Sequence, residues 1–245
     1  MFDTRREGDV LTFARANTDF LSTGWRGGRR RADAAYSVTV PKGWHPDDVA
    51  EDLARRLSAA GVDHRPDESA AGEGPPVLIT GVAAENCRGA RCGPVEAYAT
   101  TGLSNPAALP PTPESAADPA GDSLPAADPE VGTVNLLVGT TRALSDGALA
   151  NLVAVAAEAK AVTLSRTVDV PGTTSDAVVV AADPAGPPAR YSGSATAVGA
   201  AARACVREAV TAALAARYDG NDPESAVADA DHRVVTDVRA ETFLP

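Results

Sequence analysis

The stretch Pro171-Gly172-Thr173-Thr174-Ser175-Asp176-Ala177-Val178-Val179-Val180-Ala181-Ala182 does most to decide the fold. Its second half, 177–182, is an almost uninterrupted apolar run of strand length, which predicts a strand that is covered on both faces. Helical patterns lie on either side, over 146–166 and 196–218, and the first follows Ser145, a favourable N-cap residue. We therefore expect this strand to lie in a sheet against which long helices pack.

The remainder of the chain begins with strands rather than helices. One shorter helix is predicted over 46–60, and several strand-to-strand connections precede the first long helix, an order typical of an α+β fold. We predict a mixed or antiparallel sheet layered against long helices, which is a layered α/β sandwich, in a single domain over 1–218. The further predicted strands are 10–14, 20–23, 36–40, 77–80, 95–100 and 134–138.

Two segments differ in composition from the predicted domain. Residues 106–131 hold seven of the 19 prolines and predict an exposed loop between two strands, either a tolerated surface insertion or an active-site lid. Residues 219–245 are acidic and predict a partly frayed tail, which Val234-Val235 or Phe243-Leu244 could anchor.

The charge balance disfavours several partners. With 33 acidic and 22 basic residues, the net charge of −11 repels nucleic acids and anionic membranes. The charged N-terminus does not read as a signal peptide, and no apolar run reaches the roughly 18 residues of a membrane span. We expect a cytoplasmic protein without nucleic-acid or membrane partners. The acidic, lysine-poor composition is typical of salt-adapted proteins.

Lys160 stands out because the chain uses arginine almost everywhere else, and Lys42 is the other lysine. On the helix predicted over 146–166, Lys160 falls on the same face as the apolar residues Leu149, Val153 and Ala156. An amine on a buried face either meets a partner, with a role as acid or base, or extends its stem to solvent. Glu158 points away from this face.

Two turns rich in glycine and hydroxyl groups resemble ligand loops. Residues 100–105 follow one predicted strand, and 171–176 precede another. Glycine lets a backbone approach a ligand closely, while Thr, Ser and Asn supply neutral donors and acceptors, although ordinary turns use the same residues. Asn135 lies inside an apolar strand, where its amide needs partners.

Histidine and cysteine patterns predict no metal site, because their spacings match none of the common ones. Solvated side chains are expected for all three histidines: His45, His64 and His232. Cys87 and Cys92 lie in a Gly/Arg loop, where Arg88 and Arg91 would lower a thiol pKa, so a reactive cysteine and two ordinary loop cysteines are both open. Cys205 lies on an apolar helix stripe and is predicted to be in the core.

An ordered series of motifs over about residues 10–217 resembles the adenosylcobinamide amidohydrolase (CbiZ) family. Thr101 stands where many family members have Ala, Ala157 replaces a Thr, and Ser194 replaces Lys or Thr. The motifs, in order, are Leu21-Ser22 to Gly27-Gly28, Thr100-Thr101-Gly102-Leu103-Ser104-Asn105, Gly132-Thr133-Val134-Asn135, Glu158-Ala159-Lys160, Gly172-Thr173-Thr174-Ser175-Asp176 and Gly193-Ser194-Ala195-Thr196.

This resemblance implies hydrolysis of the amide that links aminopropanol to the corrin propionyl arm of adenosylcobinamide. The products are adenosylcobyric acid and 1-aminopropan-2-ol, in corrinoid salvage. The corrinoid is then the substrate, no further cofactor or metal is expected, and homo-oligomerisation is left open. Alternatives are a non-catalytic corrinoid-binding or carrier protein of the same fold and a plain interaction domain.

The resemblance also suggests residue roles. Lys160 and Glu158 are acid/base or oxyanion candidates, but two residues apart on a helix they cannot both face one site. Asp176 could position or activate water or orient Lys160, and Thr100 or Thr101 is the rival as a covalent nucleophile. The expected substrate-binding residues are Thr100, Gly102, Ser104, Asn105, Thr133, Asn135, Gly172, Thr173, Thr174, Gly193 and Thr196.

Overall fold

A computed structural model describes residues 1–62, 74–109 and 133–219, and, beyond these, 221, 223, 227, 230, 233–236, 240 and 242–244. Three helices and thirteen strands are assigned within this part of the chain. The helices are α1 (Val49–Ala59), α2 (Asp146–Thr167) and α3 (Ala197–Arg217). The strands are β1 (Asp3–Glu7), β2 (Val10–Ser22), β3 (Gly28–Thr39), β4 (Val77–Thr80), β5 (Arg88–Cys92), β6 (Val95–Thr101), β7 (Pro106–Ala108), β8 (Val134–Thr140), β9 (Ala143–Leu144), β10 (Gly172–Thr173), β11 (Ala177–Ala182), β12 (Pro188–Ala189) and β13 (Val234–Val235).

The main sheet is mixed, in the order β4-β3-β2-β11-β8-β6-β5, with β1 paired to β2. The all-apolar strand β11 lies at its centre, parallel to β8 and antiparallel to β2. All six residues of β11 are buried, which confirms that it is covered on both faces. A small second sheet joins β10, β7 and β13.

Three apolar clusters show how the layers stack. Leu137 of β8 and Val179 of β11 face Phe13 and Leu78 from β2 and β4, so the two halves of the sheet pack on each other. The outer face of the β2–β4 half is covered by α1, and the outer face of the β6–β8–β11 half is covered by α2 and α3. The result is the predicted layered α/β sandwich, with helices outside and two sheet layers inside.

The strand β2 is longer than the sequence predicts. The expected strands 10–14 and 20–23 are one strand with a register shift between Ala14 and Thr18, where Asn17 adopts a left-handed backbone (φ 53°). The arginine-rich segment that follows lies in β3, where Arg31 donates to the buried carboxylate of Asp19 (Nε–Oδ1 2.9 Å). This pairing of charges across two strands is invisible to a hydrophobic pattern.

The helix limits follow from their caps. Ser145 and Thr196 accept backbone hydrogen bonds at the starts of α2 and α3, as these residue types predict. Asp48 caps α1, which therefore begins at Val49 rather than at 46. By length and composition alone α2 could cross a membrane, but here half of its apolar window is buried inside the protein, as in a core helix.

Two earlier predictions fall partly outside the described residues. The predicted loop at 106–131 begins with strand β7, and 110–132 lie outside the described part. In the predicted tail, Val234–Val235 pair with β7 as β13, which places this anchor on the small sheet.

Candidate functional site

The two glycine- and hydroxyl-rich turns lie side by side. Strand β7, which follows the turn at 100–105, pairs antiparallel with β10 in the turn at 171–176. The Thr174 amide also donates to the Asn105 carbonyl (3.1 Å), and the Asn105 Nδ2 donates to Thr174 Oγ1 (2.5 Å). Residues 69 positions apart in sequence are thereby joined in one surface next to the amino-terminal ends of β8 and β11.

Asp176 is the centre of the hydrogen bonding in this surface. Its Oδ1 accepts from the Val134 amide (2.8 Å) and from the Thr173 hydroxyl, and its Oδ2 accepts from the Thr173 amide (3.0 Å) and from Lys160 Nζ. Four donors occupy the four lone-pair directions of a carboxylate. The Asp176 side chain thus connects β8, β10 and α2.

Lys160 meets a partner instead of extending to solvent. The Lys160 and Asp176 side chains are 10% and 11% exposed, and they form a buried ion pair. A buried ammonium needs such a partner, because an unpaired charge in this environment is strongly unfavourable. The structure therefore explains why a lysine lies on the apolar face of α2.

Gly172 is required by the close approach of its backbone to this ion pair. A Cβ at this position would lie 2.4 Å from Asp176 Oδ2 and 3.0 Å from Lys160 Nζ. Any side chain here would displace one of the two charged groups. The glycine of the ligand-like turn thus makes room for the protein's own carboxylate.

The side-chain amide of Asn135 forms its hydrogen bonds mainly with neighbouring strands. Its Oδ1 accepts from the Ala177 amide (3.1 Å) and from Thr133 Oγ1 (2.6 Å), and its Nδ2 donates to the Ile79 carbonyl (2.8 Å). This buried amide bridges β8, β11 and β4, as a polar group inside an apolar strand must do. The geometry favours a structural role for Asn135, which holds these three strands together.

A pocket of about 630 Å³ opens beside these residues. Asp176 and the buried Thr133 lie on its polar side, whereas Lys160 and Thr173 do not line it. Lys160 therefore contacts the pocket only through Asp176. The lining residues are Thr23, Gly24, Trp25, Trp44, His45, Pro46, Val49, Ile79, Thr133, Thr174, Ser175, Asp176 and Ala177.

Sequence reasoning missed the aromatic part of this pocket's lining. Trp25 and Trp44 are half-buried there, and His45, expected to be merely solvated, is exposed and lines the pocket beside them. One signal was available: both tryptophans of the chain lie in short loops next to glycine, Gly24-Trp25 and Gly43-Trp44. Large aromatic side chains in such loops are candidates for ligand contacts.

Several predicted site residues lie elsewhere. Glu158 is more than half exposed and pairs with Arg203 of α3 (Oε1–Nη1 2.6 Å), so the structure does not bring it to Lys160. Thr100 and Thr101 are buried, do not line the pocket, and their hydroxyls have no hydrogen-bond partner within the described part of the chain. Gly102 and Ser104 also lie outside the pocket lining, Gly102 buried against Val82 and Ser104 exposed.

Gly193 and Thr196 belong to the opposite end of α2. Thr196 caps α3 and donates to the Gly193 carbonyl (2.8 Å), while the neighbouring Ser192 accepts from Asn151 Nδ2 (3.0 Å). Asn151 precedes Lys160 by nine residues, about 13 Å along the helix axis. These two residues are thus spatially separate from the pocket.

Cys87 is not activated as the neighbouring Arg88 suggested. Burial raises the pKa of the Cys87 thiol to about 11, and the smaller effect of Arg88 does not compensate. Arg91 is engaged by the buried carboxylate of Glu96 (Nη2–Oε2 2.8 Å). Cys205 is buried in the core as predicted, and burial raises its pKa to about 11 as well. A reactive thiolate at Cys87 is therefore wrong.

Within the described residues, no three His, Cys, Asp or Glu side chains are grouped so that they could hold a metal ion. Of the three histidines, His64 and His232 lie outside the described part. The chemistry available at the pocket is that of hydroxyls, backbone amides, one carboxylate and one imidazole.

The fold and site define a protein of the layered α/β-sandwich class, with a pocket formed beside a buried lysine–aspartate pair. The chain belongs to the adenosylcobinamide amidohydrolase (CbiZ) family, whose model matches residues 3–222. It is 57% identical, over the whole length of both chains, to an adenosylcobinamide amidohydrolase of Halobacterium salinarum.

Solved structures are similar only at a coarse level. The PH0078 protein from Pyrococcus horikoshii has a TM-score of 0.46 at 10% identity, covering 86% of this chain and 78% of its own. A Burkholderia sp. beta-aminopeptidase has a TM-score of 0.39 at 14% identity, covering 86% of this chain and 79% of its own. Likenesses this distant support no assignment of function.

Proposed function

We propose that this protein hydrolyses the amide bond between the aminopropanol group and the propionyl arm of adenosylcobinamide. Water supplies an oxygen to the carbonyl carbon, the C–N bond breaks, and the leaving nitrogen gains a proton. The products are adenosylcobyric acid and 1-aminopropan-2-ol. The observation that carries this proposal is the family match over residues 3–222, together with a pocket that the family's motif residues help to form.

Thr133 is the hydroxyl that we propose to contact the scissile amide. It is buried, it lines the pocket, and its Oγ1 lies within hydrogen-bond distance of two acceptors, the Ser175 carbonyl (2.9 Å) and Asn135 Oδ1 (2.6 Å), which share its one proton. The next residue, Val134, uses its backbone amide to bind Asp176. In this arrangement the proton of the hydroxyl is engaged and its lone pairs remain available, so the group is preorganised to accept a hydrogen bond from the N–H of the scissile amide.

Lys160 and Asp176 act as positioning residues in this proposal. The carboxylate already accepts four hydrogen bonds, so its principal role is to fix the turn at 172–176 and the start of β8. Lys160 compensates the carboxylate charge from behind the pocket wall. Their loss would disorder the surface that carries Thr133 and Thr174.

The direct test is to incubate the purified protein with adenosylcobinamide in high salt and to detect cobyric acid and aminopropanol by mass spectrometry. Formation of both products in equal amounts is expected. A protein that binds the corrinoid without releasing aminopropanol would contradict hydrolysis and favour the carrier alternative. A heat-denatured sample controls for spontaneous hydrolysis.

We further propose a cytoplasmic setting, with the corrinoid as the main partner and with no nucleic acid or membrane surface involved. The net charge of −11 supports this, because it repels polyanions and attracts a cationic corrinoid, within the limits of screening by salt. Homo-oligomerisation stays open. We propose that no cofactor is needed beyond the corrinoid substrate.

A further inference from the structure

The pocket lining contains two chemically different sets of residues. The polar set includes Thr133, Thr174 and Asp176, described above. The other set consists of the indoles of Trp25 and Trp44, together with the apolar residues Val49 and Ile79. Aromatic residues make up only 4% of the chain, so the placement of both tryptophans in the lining of one pocket calls for a physical reason.

Trp25 is held in place by the main sheet. Its backbone forms an isolated antiparallel bridge with Val77 at the start of β4. The preceding Gly24 has no room for a side chain, since a Cβ there would lie 2.7 Å from Leu78 Cδ2. The Arg26 guanidinium lies over the Trp25 ring, 4.6 Å from its centroid. The indole is therefore fixed by backbone and cation–π contacts.

Trp44 is held in place by helix α1. Its Nε1 donates to Asp52 Oδ2 (2.9 Å), and Asp52 is itself buried and bound by Arg56 (Oδ2–Nε 2.6 Å). The polar edge of the ring is satisfied by this contact, so the ring can present its carbon surface to the pocket. Both tryptophans stay only half-buried, although each could gain free energy by complete burial.

The pocket is also smaller than the proposed substrate. A volume of about 630 Å³ suits a drug-sized group, whereas a corrinoid carries a tetrapyrrole-like macrocycle with many amide arms. A pocket of this size accommodates the aminopropanol arm and leaves the macrocycle outside. The half-buried indoles that line the pocket can then offer the macrocycle an apolar contact surface.

We propose that Trp25 and Trp44 contact the corrin macrocycle and so contribute to the affinity for the substrate, while the amide arm reaches Thr133. This inference rests on the proposed function. It predicts that the two indoles contribute to binding and specificity, and not to bond cleavage itself. Trp25→Ala and Trp44→Ala should accordingly raise KM while leaving kcat within about twofold of the wild type.

Binding is best measured with adenosylcobyric acid, because this corrinoid lacks the scissile amide and cannot be turned over. Isothermal titration calorimetry in high salt measures this binding. Each Trp→Ala variant should raise the dissociation constant about tenfold, which is the typical effect of losing one aromatic contact and its buried area. Trp44→Phe keeps the ring and should bind nearly as the wild type. Tyr191→Ala removes an exposed aromatic outside the pocket lining and serves as the matched control.

A small amide can test binding of the arm independently of binding of the macrocycle. N-(2-hydroxypropyl)propanamide mimics the arm alone, and we expect it to inhibit the wild type and both Trp→Ala variants with the same weak constant. Equal affinity of wild type and both variants for adenosylcobyric acid would overturn the inference, as would a large change in inhibition by the arm mimic. Thermal unfolding verifies that each variant is folded.

The two proposals fail in different ways. If the wild type cleaves adenosylcobinamide but the Trp→Ala variants keep its KM, the function stands and the role of the indoles is wrong. If the wild type neither binds adenosylcobyric acid nor cleaves adenosylcobinamide, the proposed function is wrong, and the inference with it.

Discussion

At the scale of single residues, the buried ion pair Lys160–Asp176 is the one that we propose to support both the stability of the fold and the arrangement of the pocket. Removing one partner leaves an uncompensated buried charge. We expect Lys160→Met to lower the free energy of unfolding by about 3 kcal/mol, and Lys160→Met/Asp176→Asn to recover part of that loss. Urea unfolding in high salt measures both values.

The exposed pair Glu158–Arg203 supplies the control for this experiment. Glu158→Gln should change the free energy of unfolding by about 0.5 kcal/mol or less, because exposed ion pairs contribute little. Turnover should also persist in Glu158→Gln. A Glu158→Gln variant that is stable but inactive would show that the carboxylate takes part in the reaction despite its position on the surface.

A second prediction at this scale concerns the hydroxyl of Thr133. Thr133→Val keeps the shape of the side chain but removes the oxygen, so we expect turnover to fall at least about 100-fold, the typical cost of losing one preorganised polar contact in a transition state. Thr133→Ser should retain measurable activity. Steady-state assays with adenosylcobinamide give the comparison, and Thr100→Val and Thr101→Val, which lie outside the pocket lining, are expected to stay active. If Thr101→Val were inactive while Thr133→Val was active, the hydroxyl at 101 would be the functional one.

The thiols make a third prediction at the residue scale. Because burial raises the pKa values of Cys87 and Cys205 to about 11, both are protonated at neutral and mildly alkaline pH. Iodoacetamide should therefore modify the exposed Cys92 first. Peptide mass mapping over a pH series reads this out. Rapid modification of Cys87 at neutral pH would contradict its burial.

At the scale of elements, the short strand β10 determines how the site is assembled. Its Gly172 lies against the Lys160–Asp176 pair, so Gly172→Ala must displace one of these side chains. We expect a loss of about 2 kcal/mol in the free energy of unfolding and reduced turnover. Gly147→Ala, in the first turn of α2 with nothing within 4 Å of the added methyl, should be neutral or stabilising. Thermal melts of both variants decide this, and a Gly172→Ala variant as stable as the wild type would show that the turn can rearrange.

Sequence patterns predicted the elements that rely on local signals. The apolar run 177–182, the N-cap Ser145 and the face of α2 that holds Lys160 are all properties of neighbouring residues, and each is observed. The patterns missed β1, whose five residues are mostly charged and exposed and which forms a strand only because β2 lies beside it. They also missed the two tryptophans in the pocket lining. Trp25 and Trp44 come from separate loops, which only the folded sheet and α1 bring together.

At the scale of the whole molecule, the proposed reaction needs only the polypeptide, water and the corrinoid. We therefore expect full activity after dialysis against EDTA and no stimulation by added divalent cations. The described residues contain no cluster suited to a protein-bound metal. The assay should be carried out with adenosylcobinamide at constant ionic strength, because salt alone changes the electrostatic interactions of an acidic protein. Loss of activity that zinc or another cation restores would refute this prediction.

The pairing of β13 with β7 has a consequence for biosynthesis. Val234–Val235 complete the small sheet whose other strands, β7 and β10, lie beside the pocket. During translation, β7 emerges from the ribosome long before its last partner exists. The main sandwich can form first, and the small sheet reaches its final form only once residues 234–235 have been released. A nascent chain stalled before this point should therefore already be protease-resistant in its core, yet lack the complete small sheet beside the pocket.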